Sequence, residues 1–484
     1  MSIPALDVKI TEPYIRFTST WNPEPEAHNL NVATLNALRR SMVLFVECWG
    51  FDHLLDQEDY PFLTDKFGLK NLKQGREQHT VLIDNTRHII PVLSHRSSRI
   101  PIMTSDDTTL LLQSNENRKV YFILCDNTDM DDLKRFSRPR VNESNVSVRL
   151  YIRDFEPVVY VRSEHSDSFE YSAEESSAVK KNMEMLFPYN LMIAFLDFQG
   201  KANILLKPSM GRGAVNCKWT PCTMRWRFSF DPRWPDLRPV MSPADGRPNT
   251  ILRKVKGQMG FKEIFLTDPI TRERYNKFGR PYSVTLIFDY NGKMGCVDAT
   301  QASIREVLSG ISLFQDHYNS TASVTADSIP SSVSETSESI VHKKIHRDTQ
   351  TMFIPLNTDD NILNEHPELI IITDDTIANM LVYKLLEIMD VIIGDNLEWW
   401  SQTAISYKRK HPLIKQCIIT VPIPLHNTDG SDNEGFISRF RAYYGCTEAK
   451  PDYHHILIND ACEKMKKDMG IVRAAVDKAL MELQ

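Results

Sequence analysis

What this 484-residue sequence lacks narrows its chemistry before any motif is considered. It has no Cys-x2-Cys pair, and its eight cysteines (Cys48, Cys125, Cys217, Cys222, Cys296, Cys417, Cys446 and Cys462) are scattered. A structural zinc site takes four ligands in two clustered pairs. The closest cysteines, Cys217 and Cys222, have no second pair beside them. No metal and no other cofactor is therefore expected, and dispersed thiols fit a reducing, intracellular compartment. No run of about 18 apolar residues occurs, so no membrane contact is expected. The opening MSIPALDVKI has no basic stretch followed by an apolar one, so no secretory leader is expected. The formal charge of −6 gives no global pull toward nucleic acid or an anionic membrane. Direct sequence-specific contact with nucleic acid is not expected.

Catalytic signatures are missing as well. There is no Gly-x4-Gly-Lys-Ser/Thr phosphate loop and no Gly-x-Ser-x-Gly elbow. Asp106-Asp107 and Asp129-Asp131-Asp132 sit in polar stretches and read as solvated loop acids. Gly211-Arg212-Gly213 reads as a short basic turn. His454 and His455 are adjacent, so their side chains diverge, and no third metal ligand accompanies them. No catalytic residue is assigned.

What is present is amphipathic order. Length alone predicts about three domains, and a hydrophobic fraction of 42% can build sizeable cores. In Leu30–Val46 the apolar Val32, Leu35, Leu38, Met42 and Phe45 recur every three or four positions, one face of a helix. Asn29 or Asn31 can cap its start. Arg39 and Arg40 are about 100° apart on that helix, so at least one faces outward or toward a partner. Strands are predicted at Pro13–Thr18, His79–Asp84, Val120–Leu124, Val146–Ile152, Pro157–Val161, Thr223–Phe230 and Tyr282–Asp289, and a hairpin at Leu191–Phe198 and Ala202–Leu206 with Gly200 in its turn. Ala299–Tyr318 is a predicted helix with Ile304, Val307, Leu308, Ile311 and Phe314 on one face. Residues 319–350 are Ser-rich and read as a flexible linker. Beyond them come a strand at Glu368–Thr373, a helix capped by Asp374 or Asp375, strands near Ala404–Tyr407 and Lys415–Val421, and a last helix from Ala461 to Leu483.

Several words along this order resemble the α-like assembly subunits of multisubunit DNA-directed RNA polymerases. Asn36-Ala37-Leu38-Arg39-Arg40 looks like the Asn-x-Leu-Arg-Arg helix shared by bacterial α, archaeal D and the third-largest subunit of polymerase II. His95-Arg96, followed by Ile100-Pro101, resembles the His-Arg-x-x-x-Ile-Pro segment that follows a strand in that family. Lys218-Trp219-Thr220-Pro221 resembles its Lys-Trp-Ser-Pro word, although the usual His-Ala ahead of it is Asn216-Cys217 here. In the second half, Asp374, Thr376, Asn379, Leu381 and the later His411-Pro412-Leu413 match the pattern of archaeal L and the eleventh subunit of polymerase II. Those two families form a heterodimer, and their fusion in one chain is a habit of large cytoplasmic DNA viruses.

The resemblance implies an α+β fold: two α-like dimerisation modules, each an antiparallel sheet with helices packed on one face. It divides the chain into a first module at 12–104 and 187–318, interrupted by a small β-rich inserted domain at 105–186, then the linker 319–350 and a second module at 351–484. Relatives often carry a cysteine-ligated metal in that insertion, but only Cys125 lies there, so none is carried over. The implied function is a non-catalytic platform on which the largest and second-largest polymerase subunits assemble, together with small subunits like the tenth. Arg39, Arg40, His95, Arg96, Lys218 and Trp219 are the implied docking residues. Leu35, Leu38, Met42, Ile304, Leu308, Ile311, Met380, Leu381, Leu385, Met465, Val472 and Val476 are the implied interface between the modules. Transcription in the host cytoplasm or viral factory, with packaging in the virion, follows from the same resemblance, with the nucleus left open. The competing reading is an independent hydrolase-like enzyme that reuses similar α+β modules.

Overall fold

The computed structural model of this chain describes residues 5–20, 32–69, 72–73, 75–76, 78–84, 90–125, 140–144, 146–163, 168–188, 190–229, 237–241, 248–254, 261–265, 283–322, 352–356, 368–394, 405–409, 416–426, 431–447 and 451–483. The expected caps Asn29 and Asn31, the acids Asp129, Asp131 and Asp132, the His411-Pro412-Leu413 word and nearly all of the expected linker lie outside them.

Along the chain run β1 (Ala5–Thr11), β2 (Tyr14–Thr20), α1 (Val32–Leu44), β3 (Glu47–Phe51), α2 (Tyr60–Phe67), β4 (Val81–Asp84), α3 (Ile90–Ser98), α4 (Asp106–Leu112), β5 (Arg118–Leu124), β6 (Arg140–Val141), β7 (Val148–Tyr151), β8 (Glu156–Arg162), β9 (Phe169–Tyr171), α5 (Ala173–Lys181) and α6 (Met183–Leu186). There follow β10 (Met192–Leu196), β11 (Lys201–Leu206), β12 (Pro208–Arg212), β13 (Cys222–Ser229), β14 (Leu237–Met241), β15 (Pro248–Lys254), β16 (Phe261–Phe265), β17 (Ser283–Tyr290) and α7 (Cys296–Ala322). Last come β18 (Met352–Leu356), β19 (Glu368–Asp374), α8 (Asp375–Ile393), β20 (Ser406–Arg409), β21 (Gln416–Pro422), α9 (Glu434–Tyr444) and α10 (Tyr453–Met481). The fold is α+β with antiparallel sheets. No helix among the described residues is long and apolar enough to cross a membrane.

The chain forms two compact units. One comprises Met1–Met42, Met224–Phe288 and Thr300–Gln484. It holds a four-stranded sheet in the order β1-β2-β17-β13 and a second in the order β18-β19-β21-β20, besides the meander β14-β15-β16. Alternation decides which faces are buried: Ile15 and Phe17 on β2, Val284, Leu286 and Phe288 on β17, and Cys417, Ile419 and Val421 on β21 all point inward. Phe17 and Phe288 meet edge to face at 5.7 Å. On α1, Leu35, Leu38 and Met42 of the expected stripe are buried with Ala33, Thr34, Ala37 and Ser41, while Val32 is half-buried and Phe45 lies past the end of the helix. Asp374 caps α8, accepting from the backbone N–H groups of Thr376 at 2.7 Å and Ile377 at 3.3 Å.

The other unit comprises Val43–Thr223 and Asp289–Ala299. Its main sheet runs β4-β11-β5-β8-β9, with β6 also on β11. Both faces are covered. Val120, Phe122 and Leu124 of β5 enter the larger core, with Leu150, Phe155 and Ile204. Tyr121 and Ile123 point the other way, into a second core with Tyr60, Leu63 and Phe67 of α2.

Several elements differ from the sequence expectation. The stretch 105–186 is not self-contained: its β5 pairs with β11, which also pairs with β4, so the sheet closes only with strands from outside it. The β10 and β11 strands form no hairpin. The turn at Gly200 is present, but β10 pairs with β7 while β11 enters the larger sheet. Asp106 and Asp107 lie in the first turn of α4, capped by Ser105, rather than in a loop. Gly211 and Arg212 belong to β12, paired with β3, rather than to a turn. The last helix begins eight residues earlier than Ala461, because Asp452 caps it at His455 N.

Candidate functional site

The first candidate surface lies on α1, in the unit that holds residues from both ends of the sequence. Arg39 keeps its guanidinium close to its own helix, Nε donating to Asn36 Oδ1 at 2.8 Å. Arg40 points elsewhere. Its Nη1 lies 2.9 Å from Asp375 Oδ2 and its Nε donates to Thr376 Oγ1 at 3.1 Å, both at the start of α8. Asp375 is itself nearly buried and is further held by Tyr407 Oη and by Asn379 Nδ2 at 3.3 Å. Six residues earlier on α1, Thr34 Oγ1 donates to Asp468 Oδ2 at 3.0 Å, and Asp468 pairs with Lys384 at 2.7 Å. Burial pulls the Lys384 ammonium down, but Glu387 and Asp468 outweigh it and hold it above the ordinary range. Farther on, Lys466 donates to Gln315, and Gln315 to Asn459, between α10 and α7.

The residues expected at the interface between modules lie in this same unit. All are buried except the half-buried Leu308. Arg40, one of the implied docking residues, contacts Asp375 and Thr376 at the start of α8.

The second surface is on the other unit. Helix α3 is exposed at His95 and Arg96, and Arg99 just after it is exposed as well. Arg99 Nη2 lies 3.1 Å from His95 Nε2, one turn back, and 3.5 Å from Cys217 Sγ. That contact brings the His95-Arg96 word beside the Lys218-Trp219 word. The His53 ring meets His95 edge to face at 5.8 Å. Burial, then Lys218 and His95, lower the His53 pKa, so this imidazole stays neutral further into acid.

Lys218 and Trp219 are placed as a rigid platform. Lys218 is buried, with Nζ 2.7 Å from Asp52 Oδ1 and 4.1 Å above the Trp219 ring. Burial lowers its pKa and Asp52 opposes that. Trp219 Nε1 donates to Ser209 O at 3.2 Å. The indole lies across β3 and β12, where a Cβ on Gly211 would sit 2.4 Å from Trp219 Cδ2. Only a residue without a side chain leaves room for the ring. Lys293, also buried, donates to the Lys218 carbonyl.

Cys417, Tyr407 and Asp375 lie within contact, Cys417 Sγ 3.4 Å from Asp375 Oδ1, but Cys417 is 0% exposed. Burial pushes the Tyr407 phenol far up, so it acts as a donor to Asp375. His454 Nε2 contacts Val421 O at 2.9 Å. Among the described residues no group of three His, Cys, Asp or Glu is arranged to hold a metal ion.

No family model matches this chain, and no curated protein matches it.

Sequence reasoning missed several of the partners that hold these side chains. Asp52, Arg99 and Lys293 carry no local pattern that marks them. Lys384 and Asp468 did carry a signal: each interrupts an apolar helical stripe, and a lone charge there is rarely buried unless paired.

Proposed function

We propose that this chain is a non-catalytic assembly subunit of a viral-type, multisubunit DNA-directed RNA polymerase. In this reading the segment up to residue 318 acts as the third-largest-subunit-like partner, and residues 351–484 as the eleventh-subunit-like partner. Together they form one intramolecular pseudo-heterodimer, a platform for the largest and second-largest subunits and for small subunits like the tenth. The polymerase works in the host cytoplasm or viral factory and is packaged in the virion.

One observation carries the reading. The helix bearing Asn36-Ala37-Leu38-Arg39-Arg40 and the helix bearing Thr376, Asn379 and Leu381 are joined by Arg40–Asp375 at 2.9 Å inside one compact unit. Two words that resemble the two members of a heterodimer are thus in direct contact. The exposed side chains of His95 and Arg96 on α3 and of Arg99 just after it supply a docking surface, since guanidinium groups make bidentate contacts at little hydration cost. Lys218 and Trp219 back that surface rather than offering free charge. Arg39 serves on α1, while Arg40 secures the platform itself.

The test is capture of the second-largest polymerase subunit by a variant carrying Arg39→Ala, His95→Ala and Arg96→Ala. The variant should fold and melt cooperatively, because these side chains are half-buried or exposed, yet recover far less of that subunit. Wild-type capture would remove the docking role.

A further inference from the structure

The two sides of the α1–α8 seam are not interchangeable. Setting Asn36-Ala37-Leu38 of α1 on Asn379-Met380-Leu381 of α8 aligns Ser41 with Lys384, Arg40 with Tyr383, Thr34 with Ile377 and Val32 with Asp375. The hydrogen bonds support this equivalence. Ser41 Oγ donates to Ser303 O at 3.2 Å, tying α1 to α7. At the aligned position Lys384 pairs with Asp468 at 2.7 Å, tying α8 to α10. The same joint is neutral in one half and charged in the other.

Arg40 and Thr34 of α1 both donate to acceptors on α8 and α10, while between α7 and α10 Lys466 donates to Gln315 and Gln315 to Asn459. Arg40 meets Asp375 and Thr376, and Thr34 meets Asp468. If α1 instead faced α1 of a second copy, Arg40 would meet Val32. If α8 faced α8, Asp375 would meet Tyr383 and Asp468 would meet Ile377. An α8–α8 pairing takes the guanidinium from buried Asp375 and the Thr34 hydroxyl from buried Asp468, and an α1–α1 pairing takes the carboxylate from half-buried Arg40; each is more costly than an apolar mismatch. Discrimination comes as much from penalties on the wrong partner as from contacts with the right one.

We propose that Arg40, Asp375, Thr34 and Asp468 are specificity-determining residues that make the half before residue 323 pair with the half after residue 351, and that exclude pairing of either half with its own kind from a second copy of this chain. The apolar stripes supply adhesion, which is indifferent to partner. The four polar residues supply the choice, whatever surface the paired chain then docks. It follows that moving the cation from α1 to α8 reverses the preference, because Asp375 of each of two copies would then find an arginine on the other.

The experiment uses the full-length chain in sedimentation equilibrium, with helix content followed by circular dichroism. Wild type should sediment as a single copy. Arg40→Leu combined with Tyr383→Arg should retain helix content and self-associate into two copies at least about tenfold more strongly, the ratio set by about 1.4 kcal/mol. Thr34→Val removes one seam hydrogen bond without changing charge and should raise self-association several-fold. A folded double variant that stays single-copy at every concentration overturns the proposal, as does a wild type that already pairs into two copies. If the double variant loses its helix content, Thr34→Val decides: self-association unchanged from wild type overturns the proposal, and a several-fold rise upholds it.

Discussion

Arg40 Nη1 lies 2.9 Å from Asp375 Oδ2, although the two residues stand on opposite sides of a Ser-rich stretch of sequence. Asp375 retains Tyr407 and Asn379 when the guanidinium is removed, so it is not left bare. Arg40→Ala should therefore cost about 1.5–3 kcal/mol, the range for hydrogen bonds to charged groups. Equilibrium urea unfolding measures this directly. A change within about 0.5 kcal/mol, as for an exposed surface side chain, would mean that the contact does not form in solution.

Lys384 and Asp468 are both buried, so Lys384→Met leaves Asp468 a buried carboxylate without this counter-charge, although Thr34 still donates to it. Lys384→Met should cost about 3–5 kcal/mol, whereas Lys384→Met with Asp468→Leu should recover much of that loss. The pH dependence has a defined sign. The Lys384 pKa is raised above 10.5 in the fold, because its two carboxylate neighbours outweigh burial. Its stabilisation is thus complete below 10.5 and is lost as pH rises through the folded value. Thermal melts from neutral to strongly alkaline pH should show a steeper alkaline loss for wild type than for the double variant. Parallel alkaline limbs would show that the ammonium is not held by this pair.

How much of this was legible in the sequence depended on range. The stripes of α1, α7, α8 and α10 and the Asp374 cap were readable, because each rests on neighbours within a few residues. Helix α9 was missed, although Asn433 caps it and Gly445, at φ +65°, ends it. Between those two ends lie aromatic residues, Phe436 and Phe440, that fit a strand equally well. The partners of Arg40, Lys218 and β11 were not readable at all. Each lies far off in sequence, and no local period records which strand or carboxylate arrives. A hairpin was the natural reading of two apolar runs around Gly200, since neighbouring strands usually pair. Here β5 and β4 flank β11 instead, and β10 is left to β7.

At Gly211 a methyl group would reach the Trp219 ring at 2.4 Å. Gly211→Ala should therefore displace the indole from β12, break its bond to Ser209 O and cost about 1–3 kcal/mol. Tryptophan emission is the readout, because a displaced ring meets more water and shifts to the red. The shift should vanish in a Trp219→Phe background. An unchanged spectrum and unchanged stability would mean that the ring is not seated there.

The platform reading is tested most directly by tagging this chain in its native source, purifying it under mild salt and identifying the associated chains by mass spectrometry. The account predicts stoichiometric recovery with the two largest subunits of a DNA-directed RNA polymerase and with RNA-synthesis activity in the eluate. A chain that purifies alone, or with partners that include neither large subunit, contradicts it.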